Sequence, residues 1–155
     1  MIIGNFIKGI ELKYKNHYFS GLCFDSSKCK KDNIFFAIKG TKIDGNKFIS
    51  HAIQKGAKII ISNQKFQGIR KKILFIKSSN IRKSLSEFAY SIYKNKPKNI
   101  IAVTGTNGKS SIADFYFQIL KFNKKKVASI GTLGIKTQNY IKKVSNTTID
   151  PISLS

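Results

Sequence analysis

With 155 residues, 41% of them hydrophobic, the chain is long enough for one large domain or two small ones with a real core, and it does not read as disordered. Its formal net charge of +22 comes from 29 Lys and Arg against 7 Asp and Glu, yet only Arg70 and Arg82 are arginines and the lysines run along the whole chain. This speaks against a nucleic-acid surface built on arginine forks; Lys, Ile (26) and Asn (12) share A/T-rich codons, so base-composition drift accounts for most of the excess, and what remains favours small polyanions such as nucleotides.

The N-terminal stretch, Met1 to Phe24, carries short apolar patches (Ile2-Ile3, Phe6-Ile7, Tyr18-Phe19) and room for a short strand or two. Lys8, Glu11, Lys13 and Lys15 interrupt it, which argues against a signal peptide or a membrane span and for a cytoplasmic protein. Cys23 and Cys29 fit neither a C-x-x-C nor a zinc spacing, and His17 and His51 are the only histidines, so two free thiols in a reducing compartment are expected. Phe24-Asp25-Ser26-Ser27-Lys28 reads as a turn, because Asp and Ser compete for local backbone hydrogen bonds.

Asn33 to Ile38 is an apolar run of strand length, closed by the polar loop Lys39-Gly40-Thr41-Lys42. Asp44-Gly45 signals a turn, and Asp44 or Asn46 is placed to cap the helix predicted by Phe48, Ile49, Ala52, Ile53 and Ala57. Lys58 to Ser62 predicts a second strand, Asn63 to Lys72 a polar connection, and Ile73 to Ile76 a third strand. Ile81, Leu85, Phe88, Ala89 and Ile92 form the stripe of an amphipathic helix that must end before Pro97. That proline divides a small α/β domain, 1–96, from a second unit, 97–155.

The second unit opens on Ile100 to Thr104, expected as a strand, and runs through Gly105-Thr106-Asn107-Gly108-Lys109-Ser110-Ser111 into a helix predicted over 109–122. Strand, glycine-bearing turn, Lys-Ser and helix together make a phosphate-binding loop. Gly105 and Gly108 permit backbone angles and close approaches that a Cβ would block. The backbone N–H groups from Thr104 to Ser111 can then face phosphate oxygens at the positive end of the helix. Lys109 supplies the charge for the β- and γ-phosphates and is the catalytic candidate; the Ser110 hydroxyl is the candidate ligand for Mg²⁺. The first glycine comes two residues later than in the general motif, which would have Gly where Val103 stands.

A strand at Val127 to Ile130 would complete a parallel βαβ unit, with Gly131-Thr132-Leu133-Gly134 a second glycine-containing turn and Asn139 to Ile141 an extended segment. A parallel sheet of two strands cannot be covered on both faces. After the loop the only carboxylates are Asp114, inside the helix, and Asp150, before Pro151, so no strand-end acid is available for Mg²⁺. The expected architecture is therefore α/β: a small N-terminal substrate domain followed by the incomplete start of a P-loop, parallel-sheet ATPase domain.

Three ordered blocks resemble the N-terminal part of the Mur ligases, over about residues 20 to 155. Asp25-Ser26-Ser27 with Asn33 to Gly40 and Asp44-Gly45 is similar to that family's D-S-R…G-D-L-F-V-A…G…D-G segment. Thr104 to Ser110 matches its T-G-T-N-G-K-T, which accounts for the late glycine. Asn146-Thr147-Thr148 with Asp150-Pro151 is similar to its N-T-T-P-D-P and points to the MurE type rather than the MurF type. The resemblance implies a ligase of peptidoglycan precursor synthesis, monomeric, using ATP and Mg²⁺. It would phosphorylate the D-glutamate carboxylate of UDP-N-acetylmuramoyl-L-alanyl-D-glutamate and let a diamino acid displace phosphate. By position, Ser26, Thr41, Lys42 and Ile43 would contact the UDP moiety, Asn146, Thr147 and Thr148 the muramoyl-peptide, and Thr106 to Ser110 the ATP phosphates. Ser27 stands where the family usually has arginine, and Ile149 where it often has proline. A folylpolyglutamate-type ligase shares the shortened loop but gives no account of the Asp25 and Phe35 to Gly45 block; a basic nucleic-acid-binding module remains the alternative outside the ligases.

Overall fold

The apolar runs of the first unit become strands that are buried on both faces, which is why they do not alternate. In the computed structural model, which describes residues 1–7, 10–41, 43–93, 96–143 and 150–154, the chain divides into two units, 1–94 and 95–154. The first unit holds β1 (Gly21–Cys23), β2 (Asn33–Phe36), β3 (Ile59–Ser62), β4 (Gly68–Arg70) and β5 (Ile73–Lys77), in the order β1-β2-β3-β5-β4. Strands β1, β2, β3 and β5 are parallel, in a register that aligns Phe35 with Ile60 and Ile60 with Phe75; β4 lies antiparallel at the edge.

One face of the sheet is covered by α1 (Ile49–Gln54), where Ile49 and Ala52 join Cys23, Cys29, Phe35 and Ile60 in one buried cluster. The other face is covered by α2 (Ile81–Ile92), whose Phe88 ring lies 5.5 Å from Phe36 and 5.3 Å from Phe6. Asn80 caps α2 by accepting from the Lys83 N–H at 3.0 Å, and the helix stops before Pro97, as its stripe predicts.

The stretch expected as a polar connection, 63–72, contains β4. Only Gly68 of this strand is buried, so no hydrophobic pattern announces it. It exists through its ladder to β5, with the Phe66 ring edge-on to Phe75 at 5.6 Å and the Arg70 guanidinium 4.6 Å over Phe66.

The second unit holds α3 (Lys109–Phe122), β6 (Ser129–Gly131), β7 (Gly134–Lys136), β8 (Ile141–Lys142) and the short α4 (Pro151–Leu154). The parallel βαβ arrangement expected here is not formed among the described residues. Residues 100–104 carry no strand, because no described neighbour pairs with them; Ile100 stays 78% exposed. The strand expected at 127–130 begins at Ser129 and turns straight back on itself, giving an antiparallel β6-β7-β8 sheet. An ion pair between Lys136 on β7 and Asp114 on α3 ties sheet to helix. That ammonium, ahead of the Gln118 amide, holds the Asp114 carboxyl below the usual carboxylate range. No helix among the described residues is long and apolar enough to cross a membrane.

Both cysteines are free and buried. Burial, with Cys29 alongside, pushes the Cys23 thiol up to about 12, and burial raises Cys29 as well. Near neutral pH Cys23 then holds on the order of a thousandfold less thiolate than an unperturbed cysteine. Alkylation by iodoacetamide, followed by intact mass, should be at least about a hundredfold slower in the native chain than in urea. Equal rates in the two conditions would show that this part of the core is open.

Candidate functional site

In the first unit the candidate residues gather at the carboxyl ends of the parallel strands, where open α/β sheets present their ligand crevice. The turn after β1 is a 3-10 helix, Ser26–Lys28, that Asp25 caps by accepting from the Ser27 N–H at 2.9 Å and the Ser27 hydroxyl at 2.7 Å. Those bonds, the hydroxyl first, lower the Asp25 pKa. Ser27, standing in the arginine position, thus serves the turn itself. Ser26 is buried, and its Oγ lies 3.0 Å from Nδ1 of His51 on α1. Nothing in the local sequence around His51 marks it for a role at this turn. Its ring is exposed, but its nitrogen holds the one candidate hydroxyl of this turn.

The loop after β2 is a tight hairpin. Lys39 and Asp44 form an antiparallel bridge, the Gly40 N–H donates to the Ile43 carbonyl at 2.9 Å, and the Gly45 N–H donates to the Ile38 carbonyl at 3.0 Å. Thr41 and Ile43 stand exposed at its tip, Ile43 at 58%, while Lys42 lies outside the described residues. Asp44 caps the following turn, and Asn46 donates through Nδ2 both to Asp44 and, at 2.9 Å, to Asn63 Oδ1 just after β3. Turn and hairpin are thereby locked to the neighbouring strand ends.

In the second unit, residues 104–108 lead into α3, and all of Thr104 to Ser111 is solvent-exposed. Gly108 occupies the N-cap of α3 at φ +77°, a left-handed conformation that glycine takes without strain. Lys109 folds back over the loop, its ammonium bonded to the Gly105 carbonyl and, at 2.9 Å, to the Thr106 carbonyl. Ser110 Oγ lies 2.9 Å from Thr132 Oγ1, in the turn between β6 and β7. The arrangement presents the backbone N–H groups of a first helical turn, one cation and a hydroxyl at the positive end of a 14-residue helix, the equipment for holding a polyphosphate. The Ser110 hydroxyl also suits Mg²⁺, a hard cation that takes oxygen ligands and draws the rest of its shell from phosphates and water. The Asp114 carboxylate is engaged by Lys136 and Gln118 and is not part of this set. Asn146, Thr147 and Thr148, the third candidate group, lie outside the described residues.

Comparison with known proteins gives these features a context. A family model described as "Mur ligase family, catalytic domain" matches residues 18–102. The chain is similar to the UDP-N-acetylmuramoyl-L-alanyl-D-glutamate–2,6-diaminopimelate ligase of Rickettsia prowazekii, 42% identical over 90% of the chain and 30% of that protein. It superposes on the solved structure of another ligase of that name with a TM-score of 0.78 at 24% identity, covering 99% of this chain and 32% of that one. A MurF ligase from Thermotoga maritima, solved in complex with ADP, matches 68% of this chain and 24% of its own at a TM-score of 0.54 and 26% identity. The chain thus spans about 30% of the length of the Rickettsia relative it matches.

Proposed function

Because the chain belongs to the Mur ligase family, we propose that it forms the opening part of a cytoplasmic ATP-dependent ligase that adds 2,6-diaminopimelate to UDP-N-acetylmuramoyl-L-alanyl-D-glutamate. The first unit binds the uridine-nucleotide end of that substrate through the turn at Ser26 and the hairpin at Thr41 to Ile43. The second binds ATP through Thr104 to Ser111. The observation that carries this reading is the loop from Gly105 to Ser110, with Lys109 and Ser110 brought together at the N-terminus of α3.

The chemistry asks for little covalent work from these residues. The substrate's D-glutamate carboxylate attacks the γ-phosphorus and ADP leaves; the amine of the diamino acid then displaces phosphate from the acyl phosphate and gives up a proton. The difficulty in the first step is the approach of two anions. Lys109 neutralises part of that charge by exchanging the loop carbonyls for phosphate oxygens, and the loop's N–H groups orient the phosphates. When bound, Mg²⁺ supplies further charge neutralisation, with Ser110 holding it. Asn146, Thr147 and Thr148 contact the muramoyl-peptide in this reading.

Calorimetric titration of the chain with UDP-N-acetylmuramoyl-L-alanyl-D-glutamate tests the proposal. It should give saturable one-to-one binding, tighter than that of UDP alone and little altered by moderate salt. No heat and no thermal shift with this ligand would overturn it, and a steep, sequence-blind, salt-sensitive affinity for duplex DNA in its place would favour a nucleic-acid module.

A further inference from the structure

The turn Gly131-Thr132-Leu133-Gly134 stands out in the sequence but takes no part in the function described above. Its structure gives it one. β6 and β7 are joined by the two residues Thr132 and Leu133, with Gly131 paired to Gly134 at the base of the turn. This hairpin is fixed to α3 by the Lys136–Asp114 ion pair. It sets the Thr132 hydroxyl 2.9 Å from the Ser110 hydroxyl, across 22 residues of sequence.

A serine hydroxyl has one proton and two lone pairs. In the free loop either oxygen of the Ser110–Thr132 pair can be the donor. If Ser110 held a divalent cation, one of its lone pairs would be committed and its proton would need an acceptor; Thr132 Oγ1 is the oxygen in place to receive it. Accepting that proton would make Ser110 a better ligand and fix its rotamer, with the Thr132 proton left for water. Groups that orient a metal ligand in this way change metal affinity by about 10- to 100-fold when removed.

We propose that Thr132 is a positioning residue for the divalent cation that accompanies nucleotide at this loop. The proposal rests on reading Gly105 to Ser110 as a nucleoside-triphosphate site. The test measures binding of a fluorescent ATP analogue to the full chain, first with chelator and then across a Mg²⁺ titration, for the wild type, Thr132→Val and Thr132→Ser. Valine keeps the shape and β-branching of threonine and removes the acceptor. Thr132→Val should need about 10- to 100-fold more Mg²⁺ to reach the same enhancement of binding, with its metal-free affinity unchanged, and Thr132→Ser should behave as the wild type. Wild-type Mg²⁺ dependence in Thr132→Val overturns the proposal. So does an equal loss of metal-free and Mg²⁺-supported binding, which would mark Thr132 as a packing residue. A wild-type chain that binds no nucleotide under either condition overturns the reading of the loop and this inference with it.

Discussion

Gly45→Ala should lower the stability of the first unit by about 2–4 kcal/mol, read as a shift of its urea midpoint, combining the overpacking and lost-hydrogen-bond costs of comparable sites. The cause is a close approach and not an unusual backbone angle, since Gly45 is absent from the residues with positive φ. A Cβ at this position would lie 2.5 Å from the Ile38 carbonyl oxygen and 2.7 Å from the Ile38 nitrogen. Both are backbone atoms of the stretch just after β2, so neither can swing aside. The hairpin must open instead, giving up the Gly45 N–H bond to Ile38 and the Lys39–Asp44 bridge. Thr41 and Ile43 lose their mounting with it, so the same variant should bind the uridine-nucleotide ligand poorly. Gly21→Ala is the control in the same sheet. Its added Cβ meets nothing nearer than the Asn33 Oδ1 at 3.5 Å, an ordinary contact, and its stability should stay within about 0.5 kcal/mol of the wild type. Equal midpoints for Gly45→Ala and Gly21→Ala would refute the steric account of the loop.

The contrast between what could and could not be read in advance follows the range of the interactions. Helix α2 was legible because its evidence is local: Ile81, Leu85, Phe88 and Ala89 share one face, Asn80 caps it and Pro97 forbids its continuation. β2, β3 and β5 were legible because strands buried on both faces must be apolar throughout. Where a strand depends on its partner the sequence was silent or misleading. Gly68–Arg70 has no apolar pattern yet pairs with β5, whereas the apolar stretch at Ile100 and Ile101 has pattern and no described partner. The same division runs through the candidate sites. Gly105 to Ser110 is a contiguous motif, visible in any reading of the chain. The contacts that hold single hydroxyls within each unit, His51 to Ser26 across 25 residues in the first and Thr132 to Ser110 across 22 in the second, exist only once the fold brings their elements together. A hint of the second was available: a Gly-Thr-Leu-Gly turn directly after a strand, spaced one helix beyond a phosphate loop, is where a chain would return toward that loop.

Lys109→Met should weaken binding of an ATP analogue by about 1.5–3 kcal/mol, on the order of 10- to 150-fold, the range for hydrogen bonds to charged groups. Methionine retains much of the aliphatic stem and removes the ammonium, so the loss isolates the charge. In the free chain that ammonium is spent on the Gly105 and Thr106 carbonyls, at an exposed position where such bonds add little stability. The variant's thermal unfolding should therefore match the wild type while its nucleotide affinity falls, a separation that a folding defect would not produce. Lengthening the bound polyphosphate sharpens the test. In the proposed site the ammonium serves the β- and γ-phosphates, so the penalty should be large for ATP, smaller for ADP and near zero for AMP. A penalty equal for all three nucleotides would place Lys109 away from the terminal phosphates, and no penalty for any of them would remove the loop from nucleotide binding altogether.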